Sequence, residues 1–164
     1  MKRLLPLLLC ALLLLGCSAA VQNAYHCAAF TASLPEPFEP VRSSSVICFA
    51  PYGDPLLSSS ITYSATELNW YYDTFTKEEY AQELKSLCGY ESLTVEQINE
   101  TRVDGYHARR IACKVQIDQG SHDLIIYAVN ADRTCFFTLL NREGDDYMAA
   151  FDTMIYSIDL KETA

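Results

Sequence analysis

The chain has 164 residues, with 21 acidic and 12 basic side chains and a formal net charge of −9. This length suits one ordinary domain with a sizeable buried core. The acidic balance argues against a nucleic acid partner, because phosphate recognition needs a basic surface, and against electrostatic adhesion to an anionic bilayer. A cationic partner would be attracted, although the simplest interpretation of the acidity is that it keeps the domain soluble.

The N-terminus has the layout of an export signal. Lys2 and Arg3 precede an apolar run from Leu4 to Leu15. A helix of this length rises only about 18 Å, whereas the hydrocarbon core of a bilayer is about 30 Å thick, so a spanning helix is not expected. The positive start, the short apolar run and the small residues after it are typical of a secretory signal peptide.

The end of this signal, Leu-Leu-Gly-Cys at 14–17, resembles the lipobox of bacterial lipoproteins, in which the cysteine is acylated and becomes the first mature residue. Cys17 is therefore the predicted lipidation site. Two acyl chains, at about 0.8 kcal/mol per buried methylene, would anchor the protein stably at the extracytoplasmic face of the cell membrane. The alternative is ordinary cleavage after Ala20, which would release the protein. The expected organisation is a lipoprotein signal peptide at 1–16, a lipidated cysteine and tether at 17–26, and a single domain at 27–164.

Cysteine usage fits an exported protein without a redox or metal motif. Cys10 leaves with the signal peptide and Cys17 takes the lipid, so the domain retains Cys27, Cys48, Cys88, Cys113 and Cys135. This number is odd, so at least one thiol is unpaired within a monomer. An exported protein can form disulfides, and we expect one or two bridges or none, with other cysteines buried as small apolar residues.

The first half of the domain predicts strands followed by a helix. Strands are expected at 28–34 and 46–50, and each is followed by a proline-rich turn. A third strand is expected at 61–66, where apolar and polar residues alternate. Thr76-Lys77-Glu78-Glu79 then matches a capping box, with Phe75 and Tyr80 at the hydrophobic-staple positions around it. This helix is expected to end at Gly89, a natural C-terminal residue.

The second half predicts further strands and a last helix. Strands are expected at 93–103, 110–117, 124–129 and 135–140, with a tight turn at Asp104-Gly105. The first of them could instead begin as a short helix. The third is apolar on both faces, which indicates a central strand. Asp145 or Asp146 is expected to cap the last helix, whose apolar stripe ends at Ile158.

Short turns between successive strands indicate antiparallel neighbours. We therefore expect an α+β domain with an antiparallel sheet of about six to seven strands flanked by helices. The order of "FTASLPEPFEPV", "SITYSATE", "VDGYHARRIACKV" and "FDTMIYSIDL" resembles the Mog1/PsbP-like α/β/α sandwich, including small bacterial lipoproteins of that type. The resemblance spans 27–161. It implies a binding or assembly protein rather than an enzyme, and it supplies no catalytic residue to carry over.

The sequence carries no motif for catalysis, for a cofactor or for a metal. Ser121-His122-Asp123 brings three triad residue types together, but neighbours on one strand cannot point at a shared centre. His107 and Cys113 would lie about 20 Å apart on an extended strand, at about 3.3 Å per residue, and so cannot share an ion.

Three consecutive aromatics, Trp70, Tyr71 and Tyr72, are the predicted partner-binding residues. At least one of them should meet solvent, and large aromatics are favoured anchors at interfaces. Tyr52 and Tyr106 could join the same patch. The alternative is that the three residues fill the gap between the sheet and the helix that follows.

The predicted function is a membrane-anchored extracytoplasmic lipoprotein that acts as a non-catalytic binding or assembly module, with an envelope protein as its partner. Two alternatives stay open: a secreted hydrolase-like enzyme with an unrecognised site, and a purely structural envelope protein. An exposed aromatic patch would favour binding, whereas a deep polar cleft holding a histidine would favour the enzyme.

Overall fold

A computed structural model of the protein describes residues 23–42, 46–54, 58–67, 75–90, 92–117 and 120–161. Two predicted sites, Cys17 and Trp70–Tyr72, lie outside the described residues. Within the described part of the chain, no helix combines the length and the apolar character needed to cross a membrane.

The architecture is α+β, as the sequence predicts. The elements in chain order are β1 (Asn23–His26), β2 (Phe30–Leu34), β3 (Phe38–Pro40), β4 (Ile47–Pro51), β5 (Ser60–Thr66), α1 (Lys77–Cys88), β6 (Ser92–Val103), β7 (Tyr106–Ile117), β8 (Gly120–Asn130), β9 (Thr134–Asn141), α2 (Met148–Tyr156) and β10 (Asp159–Leu160). Seven strands form one antiparallel sheet in the order β3-β4-β5-β9-β8-β7-β6, and a second sheet has the order β1-β2-β10.

The large sheet is apolar on both faces. Strand β8 shows this directly, because all six residues from Leu124 to Val129 are buried and alternate between the two sides. Ile125 and Tyr127 belong to an aromatic-rich core that also contains residues of β2 and α2. Leu124 and Ile126 belong to a second core that contains Tyr80 of α1. The predicted central strand is therefore confirmed.

Helix α1 forms where local signals predict it. The Thr76 hydroxyl accepts a hydrogen bond from the Glu79 amide at 3.3 Å, and the Glu79 carboxylate accepts one from the Thr76 amide at 2.7 Å. The rings of Phe75 and Tyr80 pack edge to face at 5.3 Å. Gly89 ends the helix in the left-handed conformation. The capping box, the staple and the terminal glycine are all confirmed.

Helix α2 is attached to the sheet by a polar cluster. Arg110 of β7 donates two hydrogen bonds to the Asp152 carboxylate, at 3.1 and 3.2 Å. The hydroxyl of Tyr127 donates to the same carboxylate at 2.8 Å. These bonds satisfy charged and polar groups at the edge of the aromatic-rich core, as burial there requires.

The predicted cap of α2 is wrong. Tyr147 occupies the N-cap position and makes no side-chain capping bond. The Asp145 carboxylate instead accepts a hydrogen bond from Ser59, whose side chain is completely buried. A buried hydroxyl needs a partner, and this requirement outweighs the weaker gain from capping an exposed helix end.

The small sheet corrects the predicted tether. Strand β1 lies at 23–26, inside the predicted tether, and it pairs with residues 31–34 of β2. Strand β10 pairs with the other edge of β2. The sequence signal was weak because β1 has 4 residues and β10 has 2, too few to show alternation.

The β6–β7 hairpin contains a tight turn and a bulge. Asp104 and Gly105 at the turn have φ values of 49° and 79°, the combination that a two-residue hairpin turn requires, which confirms the predicted turn. Further along β6, Val95 pairs with Cys113 and Gln97 pairs with Ala112. Glu96 is therefore an extra residue in the outermost strand of the sheet, which forms a β-bulge.

Candidate functional site

An open groove lies at the end of the large sheet where β4 ends and β5 begins. Its volume is about 380 Å³, within the size range of sites that bind small molecules or side chains. Strand β9 ends on the same side, because Ser60 of β5 pairs with Leu140 of β9. The residues that line the groove are Pro51, Tyr52, Asp54, Ser58, Asp145 and Tyr147.

Tyr52 is a highly exposed aromatic side chain of the groove. It is 81% exposed, and its φ of 55° lies in the left-handed region that non-glycine residues rarely adopt. Its amide donates a hydrogen bond to the carbonyl of Pro37 at 3.1 Å, which fixes the backbone in this conformation. An exposed ring on a strained backbone is unfavourable for folding alone, and such positions concentrate at functional sites.

Tyr147 forms the opposite wall and is held more firmly. Its ring packs edge to face against the buried Phe38 at 5.0 Å, and its amide donates to the Asn141 side chain at 3.2 Å. Burial raises the pKa of the Tyr147 hydroxyl, and the neighbouring Asp145 and Tyr52 raise it further. The phenol is therefore neutral at physiological pH and can both donate and accept a hydrogen bond.

Two buried polar residues hold the acidic wall in place. The hydroxyl of Ser59 donates to the Asp145 carboxylate at 2.6 Å and accepts from the Arg142 amide at 2.8 Å. The amide group of Asn141 donates to the backbone carbonyl of Asp145 at 3.0 Å. Asp145 and Tyr147 are thus fixed before any ligand arrives, which reduces the entropy cost of binding.

A second cleft lies at the opposite end of β9. Its volume is about 20 Å³, enough for roughly one water molecule. The hydroxyl of Tyr63 lies 3.6 Å from the Cys135 sulfur, and both side chains are buried. Burial and this hydrogen bond raise the pKa of Tyr63. The cleft is lined by Ala29, Tyr63, Tyr106, Ala131, Asp132, Arg133, Cys135, Leu160 and Lys161.

The histidine and aspartate of the sequence Ser121-His122-Asp123 make separate contacts. His122 accepts a hydrogen bond from the Glu143 amide at 3.0 Å, while Asp123 pairs with Lys114 at 2.6 Å. His107 contacts Arg102 on the hairpin. Among the described residues, no group of three or more histidine, cysteine, aspartate or glutamate side chains is arranged to hold a metal ion.

Sequence reasoning identified only part of the groove. Tyr52, in the turn "PYGDP", and Tyr106 were both candidates to join the predicted aromatic patch, and the structure places Tyr52 in the groove and Tyr106 in the small cleft. The sequence predicts Asp145 as a candidate helix cap and does not indicate Tyr147 as a site residue. The left-handed backbone at Tyr52 leaves no signal in the sequence, because only a glycine or asparagine there would have suggested it.

No protein-family model matches the sequence, and no curated protein matches it either. Solved structures do match the fold. CyanoP, the cyanobacterial PsbP of Synechocystis sp. PCC 6803, superposes with a TM-score of 0.59 at 14% identity, over 88% of this chain and 96% of that chain. The chain has a Mog1/PsbP-like fold. The fold predicted from the order of elements is therefore confirmed.

Two further structures share the Mog1/PsbP-like fold with this chain. PA94 from Pseudomonas aeruginosa, a protein of unknown function, superposes with a TM-score of 0.56 at 14% identity, over 86% of this chain and 98% of that chain. LpqN, involved in cell envelope biogenesis of Mycobacterium tuberculosis, gives a TM-score of 0.54 at 10% identity, over 81% of this chain and 83% of that chain. At these identities the likeness shows the fold alone.

Proposed function

We propose that this protein is a non-catalytic binding module of the cell envelope and that a protein partner docks on the groove between Tyr52 and Tyr147. The observation that carries the proposal is the ring of Tyr52, 81% exposed on a left-handed backbone at the mouth of a groove whose other wall is fixed. LpqN, which shares the Mog1/PsbP-like fold, is involved in cell envelope biogenesis, and this supports an envelope role.

The chemistry of the groove supports binding over hydrolysis. Among the described residues, those that line the groove include no histidine and no cysteine. Its two aspartates and two tyrosines offer charge, hydrogen bonds and ring surface, which are the properties of a recognition site. The histidine that is buried, His122, is engaged by the backbone of Glu143.

The partner interface can be tested by site-specific photocrosslinking in cells. A photoreactive residue at position 52 should give one defined adduct, whereas the same residue at position 156 should not. Tyr156 is a matched control because it is also exposed, at 64%, but belongs to α2. The position-52 adduct should disappear when Tyr147→Ala is added. Equal adducts at both positions, or none at 52, would contradict a docking site in the groove.

We also propose that Cys17 carries a lipid anchor at the extracytoplasmic face of the membrane. The support is the lipobox-like Leu-Leu-Gly-Cys at the end of a short apolar leader. Cys17→Ala should move the protein from the membrane fraction to the soluble fraction. Cys10→Ala is the matched control, because it removes a cysteine of the same leader but leaves the acceptor, and it should stay in the membrane. Wild-type protein that is soluble without detergent would contradict the anchor.

Trp70, Tyr71 and Tyr72 remain proposed partner-binding residues on the strength of their sequence. The double variant Trp70→Ala/Tyr71→Ala should weaken the adduct formed at position 52 if these aromatics touch the same partner. A truncated hot-spot aromatic typically costs 2 kcal/mol or more, which is about thirtyfold in affinity. An unchanged adduct, with the variant still folded, would remove the three residues from the interface.

A further inference from the structure

We infer that the groove recognises a cationic side chain, a lysine or arginine presented by the partner, which inserts between the rings of Tyr52 and Tyr147 against the Asp145 carboxylate. This inference rests on the proposed function, because it names the chemistry of the partner that the groove takes.

The charge of the groove favours a cation. Asp54 and Asp145 both line it, and among the described residues that line it none is a lysine or an arginine. Arg142 contacts the groove residue Ser58, and its Nε donates a hydrogen bond to the Ser58 carbonyl at 3.0 Å. An anionic ligand would face two carboxylates, and a purely apolar ligand would remove their hydration without replacing it. A cation is the ligand class that this wall stabilises.

The Asp145 carboxylate is prepared for such a ligand. The buried Ser59 hydroxyl occupies one of its oxygens, Oδ2. A carboxylate has several lone pairs, so the group can still accept from an ammonium or guanidinium. The carboxylate is also only half-buried, so that its charge can be reached from the groove. A carboxylate held in one orientation gains more from a charge-assisted hydrogen bond than a free one, since no ordering cost remains.

The two rings add a second attraction for the same ligand class. The face of a tyrosine ring carries negative potential and attracts a cation placed over it. Tyr52 and Tyr147 both line the groove, so a side chain that enters it meets both rings. Lysine and arginine also have apolar stems that can pack on a ring while the charged end reaches the carboxylate. The formal net charge of −9 would steer such a partner towards the protein.

The test uses the full chain, purified in a neutral detergent, with fluorescein-labelled octalysine as the probe. Fluorescence anisotropy should show saturable binding of octalysine, and no binding of octaglutamate or of a neutral glycine-serine octapeptide. Tyr52→Ala and Asp145→Asn should each weaken octalysine binding about tenfold. Thermal unfolding should show that both variants remain folded, because Tyr52 is exposed and asparagine can still accept the Ser59 hydrogen bond.

The matched controls are Tyr156→Ala and Asp132→Asn. Each removes the same kind of group from an exposed position away from the groove, and each should leave octalysine binding unchanged. If octalysine does not bind, or if all four variants weaken it equally, the inference is overturned, since the attraction is then absent or due to net charge alone.

The outcomes separate this inference from the proposed function. A position-52 adduct together with no octalysine binding would keep the docking site and reject the cationic partner. Groove-dependent octalysine binding without any adduct in cells would keep the cation site and reject the protein partner.

Discussion

The two ends of β9 use tyrosine in opposite ways. At the Cys135 end, Tyr63 is buried, its hydroxyl contacts the Cys135 sulfur, and the remaining cleft measures about 20 Å³. At the Asn141 end, Tyr52 projects into solvent beside a groove of about 380 Å³. Side chains of the protein fill the space at the Cys135 end, whereas rings and carboxylates are accessible to solvent at the Asn141 end. The end of β9 with closely packed side chains therefore stabilises the domain, and the end with the open groove is the part proposed to bind a partner.

The largest expected effect on the free energy of unfolding is at the Cys135 end of β9. Phe30 is fully buried and its ring contacts the rings of Tyr63 and Phe137, at 4.9 and 5.2 Å. Phe30→Ala should lower the free energy of unfolding by about 3–5 kcal/mol, through lost burial and a cavity. Tyr52→Ala should change it by less than about 0.5 kcal/mol, because the ring is exposed. Urea unfolding of both variants measures the two changes in the free energy of unfolding. Similar values would contradict the difference proposed between the two ends of β9.

An intermediate effect on the free energy of unfolding is expected at Ser59, which links the groove to the core by hydrogen bonds. Ser59→Ala should lower the free energy of unfolding by about 1–3 kcal/mol, because the Arg142 amide and the Asp145 carboxylate both lose a buried partner. The freed carboxylate should also bind octalysine severalfold more weakly. Ser64→Ala, at an exposed position on β5, is the control and should change neither quantity. Unaltered binding in Ser59→Ala would show that Asp145 needs no support.

A smaller effect is expected at high pH. Burial and the Cys135 hydrogen bond raise the pKa of Tyr63 above its usual value near 10, so the folded protein holds this proton more tightly than the unfolded chain. The stability that follows is complete below about pH 10 and is lost as the pH rises through the folded-state pKa. Tyr63→Phe should cost about 1 kcal/mol at neutral pH and flatten the loss of stability above about pH 10.

Urea unfolding between neutral and alkaline pH measures this slope. Tyr127→Phe is a useful comparison, since burial and Asp152 also raise the pKa of Tyr127 and part of the slope should remain in either single variant. A slope that is identical in the wild type and in both variants would show that neither hydroxyl contributes.

The smallest effect is a difference in labelling rate. Cys27 is half-buried, whereas Cys48, Cys113 and Cys135 are buried. Burial also raises the pKa of Cys48, which lowers the fraction of reactive thiolate. Alkylation of the folded protein should therefore modify Cys27 before Cys48, Cys113 and Cys135, and unfolding should expose those three. Labelling of Cys135 faster than Cys27 would indicate that the Cys135 end of β9 opens readily in the folded protein.

Local signals in the sequence were sufficient for much of the fold. The capping box at Thr76 predicts the start of α1 because its partners lie three residues apart. The strand at 93–103 was correctly preferred over a helix. In contrast, the Asp145 cap was wrong because the competing donor, Ser59, is 86 residues away in the sequence. A single sequence shows which groups need partners, but not which distant partner is nearest.

The groove was beyond sequence reasoning for the same reason. The residues "PYGDP" predicted a turn, and the turn is present, but nothing local indicated that Tyr52 and Tyr147 would line one groove. The site forms only when the end of β4 and the segment after β9 meet across the sheet. The predicted partner-binding aromatics, Trp70, Tyr71 and Tyr72, lie outside the described residues and stay a prediction.

The bulge at Glu96 has a consequence for how copies of this protein avoid one another. Strand β6 spans 12 residues at the edge of the large sheet, and an open edge of that length invites a second chain to continue the ladder. The extra residue breaks the regular hydrogen-bond spacing and places a carboxylate there, and Lys77 of α1 donates to the Glu96 carbonyl. The other edge, β3, has 3 residues and ends in Pro40. Both edges of the sheet thus disfavour edge-to-edge pairing between copies, which protects the protein from aggregation at high local concentration.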